Sequence, residues 1–85
     1  MKRKPKVVQP RILEIEWTDA CGLMNVWEQR DGLETLPPSS ICSIGYLWET
    51  TKNYITICQS YSPMQVARRF SIPRGCIKKV KVIRK

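Results

Sequence analysis

Hydrophobic and polar residues alternate most regularly in "RILEIEW", residues 11–17. Leu13, Ile15 and Trp17 fall on one side of an extended chain, Glu14 and Glu16 on the other. A period of two with one apolar side predicts a half-buried strand. "DACG", from Asp19 to Gly22, ends it with turn-forming residues. The next stretch, "LMNVWEQRDGLETLPPSS", holds no sustained period. Met24, Val26 and Trp27 are apolar enough to pack, but "RDG" and "PPSS" interrupt. It reads as an irregular excursion, with room for a short strand or one helical turn, ending at Pro37 and Pro38.

Two β-rich runs follow, Ile41–Thr50 and Tyr54–Tyr61, on either side of "TTKN". A short polar connection between such runs predicts a hairpin. Gly45, inside the first run, predicts a bulge or a sharp bend. "SPMQ" turns the chain again, and Val66–Ile72 is expected to form another strand.

The closing segment, "RRFSIPRGCIKKVKVIRK", carries eight basic residues and no acid. Phe70, Ile72, Ile77, Val80 and Val82 are too regularly apolar for a disordered cationic tail. Pro73 and Gly75 suit a type I turn. "CIKKV" can make a single helical turn that drops Ile77 into the core, and "VKVI" is a last short strand. Few residues separate the last two strands, so the sheet must bend sharply there. The expected organisation is a flexible basic arm over 1–10, one small domain over 11–83, and a loose basic end at 84–85. The expected fold class is all-β: five strands in a strongly bent antiparallel sheet or barrel, with one short helical turn before the last strand.

"FSIPRGCIKKVKVI" and the hairpin before it, about half the chain, resemble the Sm-like or Src-homology-3-like small β-barrel. In that layout a single short helical turn separates the last two strands. The chain as a whole is also similar to short, mostly uncharacterised proteins of tailed bacteriophages, through "LEIEWTDA", "SIGYL" and "IPRGCI". The glycine- and asparagine-bearing RNA-pocket motifs of true Sm proteins are missing, so the resemblance does not extend to uridine-type RNA binding. It implies a phage accessory protein acting in the host cytoplasm.

Charge adds an expectation about partners. The chain has 85 residues and a net charge of +8. Residues 12–67 hold all seven acids against Arg30 and Lys52, a balance of −5, so both ends are basic and the centre acidic. Such asymmetry either attracts an anionic partner or serves solubility. "MKRKPKVVQPR" is not followed by an apolar run of signal length, and no stretch approaches the ~20 apolar residues of a membrane helix. A cytosolic protein with reduced thiols and no membrane partner is expected.

The residue types argue against catalysis. With no histidine there is no classical triad. Glu14 and Glu16 share a strand side, where carboxylates are solvated unless a cleft shields them. No phosphate-cradling glycine loop or nucleophile elbow occurs. Cys21 lies beside an acid in "DACG" with no base to activate it. Cys21, Cys42, Cys58 and Cys76 are too far apart for a structural zinc site. Cys42, Cys58 and Cys76 neighbour Ile and are expected to pack as small apolar groups. Neither metal nor other cofactor is expected.

Aromatic and basic residues remain. Tyr46 and Trp48 lie on one side of their strand, opposite Leu47, and with Tyr61 they are candidate contacts for a base or a partner protein. Arg69, Lys79 and Lys81 would form one stripe if the last two strands were neighbours, extended by Arg74 at the turn and accompanied by Arg68. A stripe of this kind binds phosphates without reading sequence. Two readings follow. One is a non-catalytic module for a phosphate-bearing partner, either nucleic acid or a host nucleotide signal. The other is a protein–protein module that inhibits or joins a host or virion protein through edge strands and exposed aromatics. Open edges and a thin core also predict self-association into a homo-oligomer.

Overall fold

The computed structural model describes residues 9–22 and 27–85. The alternating segment forms strand β1, Ile12–Asp19. It pairs antiparallel with β2, Ser39–Thr50, which turns back as β3, Tyr54–Cys58. Two short strands, β4 (Ser60–Tyr61) and β5 (Val66–Ala67), form a separate ribbon around the "SPMQ" turn. β6 (Phe70–Pro73) then adds to β3, a 3-10 turn covers Arg74–Cys76, and β7 (Ile77–Arg84) adds to the far side of β1. The main sheet is antiparallel, in the order β6-β3-β2-β1-β7. Among the described residues no helix is long and apolar enough to cross a membrane.

This order forces the sheet to bend. In a flat sheet β6 and β7 would lie four strand spacings apart, about 19 Å. The three residues of the 3-10 turn span only about 6 Å, yet they join the two strands directly. Trp17 on β1 and Phe70 on β6 show the result. Three spacings separate their strands, but their ring centroids are 6.3 Å apart. The concave side holds the core: Leu13 and Ile15 from β1, Ile55 and Ile57 from β3, and Ile72 from β6. Each such aliphatic side chain contributes about 1.5–3 kcal/mol when fully buried. Trp17, Leu47, Cys76 and Ile77 pack around them, half-buried. Trp17 keeps its indole N–H satisfied by donating to Ser43 Oγ at 3.0 Å.

Gly45 sits where β2 is pressed hardest against its neighbour. A Cβ there would lie 2.9 Å from the Cys58 carbonyl oxygen and 3.1 Å from Ile57 Cβ. Gly45 thus answers a close approach of β3, while the irregularity in pairing expected there comes later, between Leu47 and Glu49. The hairpin turn is held by Thr51, whose Oγ1 accepts from the Asn53 and Tyr54 amides at 3.1 and 3.0 Å.

Four sequence expectations need correction. Val66–Ile72 is not one strand: Arg68 takes a left-handed conformation, φ 56°, and divides β5 from β6. That break lets β5 turn back onto β4 while β6 joins the main sheet. The helical turn spans Arg74–Cys76 rather than "CIKKV", and Ile77 already starts β7. Arg84 is not a loose end but the last residue of β7, opposite Ile12. Trp27 does not pack; it is 91% exposed in an excursion with no strand or helix among its described residues. Met24 and Val26, like residues 1–8 of the expected arm, lie outside the described residues.

Replacing Gly45 by Ala should cost about 1–3 kcal/mol, as over-packing does. For a domain of this size that lowers Tm by roughly 5–20 °C, readable by circular dichroism. An unchanged Tm would mean that β2 has room at this point and bends for another reason.

Candidate functional site

The convex side of the sheet carries the polar and aromatic positions. In register across it run Arg84, Ile12, Tyr46 and Cys58, the outward partners on β7, β1, β2 and β3. Parallel to that row lie Lys81, Glu14 and Ile44, and beyond them Lys79, Glu16 and Cys42. On β3 this outer side is covered as well. Cys58 is 1% exposed and Thr56 is buried, although both point away from the aliphatic core. Thr56 keeps its hydroxyl satisfied by a 2.7 Å hydrogen bond with the Ser71 hydroxyl.

The cross-strand partner of Cys58, Tyr46, belongs to an aromatic group on this side. Tyr61, at the end of β4, meets Tyr46 edge to face with centroids 4.8 Å apart. The same ring lies 6.0 Å from Trp48, tilted by 37°. Ring pairs in such geometry contribute about 0.5–1.5 kcal/mol beyond their buried area. Tyr61 reaches them because the β4–β5 ribbon leaves the sheet after Cys58 and turns back, tied by Ser62 N–H to the Gln65 carbonyl at 2.7 Å. Trp48 stays 41% exposed, so the cluster presents an indole to solvent.

Two groups of arginines flank this cluster. The Arg84 guanidinium lies 5.6 Å from the centre of the Tyr46 ring, a cation–π arrangement. One of its nitrogens also donates to the Pro10 carbonyl at 3.0 Å, which fixes its position. On the other flank Arg68 and Arg69 line an open depression with Glu49, Thr56, Val66, Phe70 and Ser71. Val66 also borders a second depression of about 580 Å³, lined by Ser60, Tyr61, Ser62, Gln65 and Ala67. The two depressions thus share Val66 in their linings. The Glu49 carboxylate tempers the positive charge at the first.

The structure thus gathers Tyr46, Trp48 and Tyr61, and it borders the same ribbon with Arg68 and Arg69. It does not gather the rest of the expected basic set. β6 and β7 are opposite edges of the sheet order, not hydrogen-bonded neighbours, so Arg69 does not continue a stripe of Lys79 and Lys81. Lys79 and Lys81 stand opposite Glu16 and Glu14 instead, a ladder in which charges of opposite sign match. Arg74 is a structural clamp: its Nε donates to the Thr51 carbonyl at 3.0 Å and its Nη2 to Thr50 Oγ1 at 2.8 Å. With its own amide donating to the Asn53 carbonyl at 2.9 Å, it ties the 3-10 turn to the hairpin. Arg84 was the residue that sequence patterning missed. Period two alone sets Arg84 with Val80 and Val82, and the pairing irregularity between Ile12 and Leu13 is what brings it opposite Ile12.

The cysteines divide unevenly. Cys58 is buried beside its cross-strand partner Tyr46, and burial pushes its thiol up, against lesser opposing effects of the Ser60 amide and Arg69. Cys76 is half-buried beside the core. Cys42 is exposed, contrary to the expectation that it packs, because it lies on the outer side with Glu16. Its thiol is raised by desolvation first, then by the charge and hydrogen bond of Glu14 and the charge of Glu16. A raised thiol is a poor nucleophile at neutral pH. Among the described residues no group of three or more acidic or cysteine side chains could hold a metal ion.

No protein-family model, curated protein or solved structure matches this chain.

The outer-face register has a chemical signature. Replacing Glu14 by Gln removes one cause of the raised Cys42 thiol, so at pH 8 more thiolate forms and iodoacetamide should label Cys42 faster. Cys58 should stay unlabelled until denaturant is added. Peptide mapping by mass spectrometry reads both. An unchanged Cys42 rate would mean that Glu14 does not stand beside it.

Proposed function

We propose that this protein is a non-catalytic binding module whose ligand is a single-stranded nucleic acid or a nucleotide. The carrying observation is the aromatic cluster with arginines on two flanks: Tyr46, Trp48 and Tyr61 together, Arg84 over one ring, and Arg68 and Arg69 beyond the ribbon. A base offers a flat π face to the exposed indole, and its phosphates lie within a few ångströms of that face. Stacking of this kind is worth about 1–3 kcal/mol per base and tolerates any sequence. Arginine suits the role because its planar head binds phosphate oxygens in pairs and is weakly hydrated.

The proposal includes the finer reading of the fold. A bent five-strand sheet with its edges joined by one 3-10 turn has the layout of Sm-like and Src-homology-3-like barrels. The same resemblance makes the protein a phage accessory factor in the host cytoplasm, where it sequesters a nucleotide signal or coats a strand. Self-association through the edges belongs to this reading as well.

The test is binding of a fluorescent oligothymidylate at several salt concentrations. If Arg68, Arg69 and Arg84 each engage one phosphate, log affinity should fall with log salt at a slope of about −2, from −0.7 per phosphate on a single strand. Replacing Trp48 by Ala should weaken binding by roughly 5- to 150-fold, the equivalent of one lost stack. Reversing Arg68 and Arg69 to Glu should flatten the slope, whereas reversing Lys79 and Lys81 should change it little. A free nucleotide as the true ligand would show a shallower slope with the same sensitivity at Trp48. If no oligonucleotide or nucleotide quenches tryptophan fluorescence at low salt, the phosphate reading fails. The chain is then better read as a protein–protein module acting on a host or virion protein.

A further inference from the structure

β7 is an edge strand of eight residues, and among the described residues nothing pairs with its outer side. Such an edge offers a row of backbone donors and acceptors. Natural edges are commonly short or bulged; β7 is long, with pairing irregularities at its two ends and a regular stretch between Lys79 and Val82.

The side chains of that stretch have a definite complement. Val80 and Val82 point to the same side as Ile15 and Leu13, toward the core, yet they are 39% and 43% exposed. A core-facing residue so open means that the apolar side lacks cover next to β7. Lys79 and Lys81 point outward, and no acid occurs anywhere in β7. On its paired side β7 meets β1, which answers each position in kind: Leu13 and Ile15 beside the valines, Glu14 and Glu16 beside the lysines. The open side presents the same lysines and valines again, with no answer. Opposite charges and apolar pairs directly across strands stabilise a sheet, and like charges destabilise it.

We propose that the open edge of β7 binds an acidic segment of another protein as an added antiparallel strand, one in which Glu or Asp alternates with aliphatic residues. The segment repeats the chemistry of β1 on the other side of β7. Its aliphatic residues cover Val80 and Val82, and its carboxylates face Lys79 and Lys81. A second copy of the chain fits less well. Two β7 strands would set lysines against lysines, and β6, the other edge, has four residues, no acid and a proline without an N–H. The stretch Lys79–Val82 ends short of Arg84, where β7 meets the aromatic surface, so changes at Lys79 and Lys81 test this site without touching the aromatic one.

The test uses the full chain and a labelled peptide, Thr-Val-Glu-Val-Glu-Val-Thr, kept at nanomolar concentration, with Lys in place of Glu as control. Fluorescence anisotropy should show the acidic peptide binding at least about tenfold more tightly than the control. Amide hydrogen exchange should slow at alternate residues of β7 and leave Tyr46, Trp48 and Tyr61 unchanged. A Lys79→Glu, Lys81→Glu variant should reverse the preference. Because it also faces Glu14 and Glu16, a milder Lys79→Gln, Lys81→Gln variant is measured beside it. That variant should fold with an unchanged circular dichroism spectrum and lose about tenfold in affinity for the acidic peptide. Equal binding of both peptides, or binding without protection of β7, overturns the proposal. So does protection of β7 in concentrated protein without peptide, which would assign the edge to self-pairing.

Discussion

Three residues, Arg74–Cys76, hold the two edges of a five-strand sheet together. Most of what is distinctive here follows from that short tie. A sheet so constrained has to curl, and curling decides which side of each strand becomes the interior. It brings Trp17 to Phe70 across three strand spacings and encloses a core built mainly from β1, β3 and β6. The tie is itself secured. Arg74 reaches from the turn to the loop of the β2–β3 hairpin with three hydrogen bonds, one from its backbone and two from its guanidinium. A basic residue that looked like a ligand contact is therefore spent on geometry. Its planar head matches the two acceptors at Thr50 and Thr51 in a way a lysine would not.

A thin curled sheet has a second problem, its convex side. In a chain of 85 residues one aliphatic core covers only one side of β3. The β4–β5 ribbon supplies the other cover, and Arg68 makes the ribbon possible by breaking the strand with a left-handed backbone. That conformation carries a cost of order 1 kcal/mol for a residue with a Cβ, which the ring contacts of Tyr61 offset. Trp48 is left 41% exposed. Stability and recognition thus meet in the same three rings, since the ring contacts that order Tyr46 and Tyr61 also hold an exposed indole beside them.

The main sheet was legible in the sequence where period and side agreed. "LEIEW" alternates without interruption, and it became part of β1 with the expected side buried. The hairpin around "TTKN" and the turn at "SPMQ" were legible because their residues have strong local preferences. What failed was whatever depended on a backbone reversal without a glycine. Nothing in "VARRFSI" announces a left-handed arginine, so two strands read as one. The order of strands failed for a related reason. Joined strands are adjacent in most sheets, whereas the 3-10 turn here links opposite edges, and the basic stripe built on adjacency dissolved. Side parity pointed to Tyr46 and Trp48, whereas Tyr61 was picked out by residue type alone. Arg84 escaped because its partners, Pro10 and Tyr46, are distant in sequence and near only once β1 lies between β2 and β7.

The excess of positive charge, +8 overall, is distributed by residue type as well as by position. On the sheet Lys79 and Lys81 of β7 are matched by Glu16 and Glu14. Arg84 lies over the aromatic cluster, Arg68 and Arg69 line a depression beside the ribbon, and Arg74 clamps a turn. This division follows from their chemistry. A lysine head is compact and strongly hydrated, so it serves as a point charge across a strand pair, where register keeps an acid near it. An arginine head is flat, stacks on rings and donates along two edges, so it is useful where the chain presents a ring or paired acceptors. Charge on β7 is thus answered on one side and left open on the other, while charge at the aromatic face lies beside π surface. The same net charge therefore prepares two different kinds of contact, a strand with carboxylates at one place and a flat anionic group at the other.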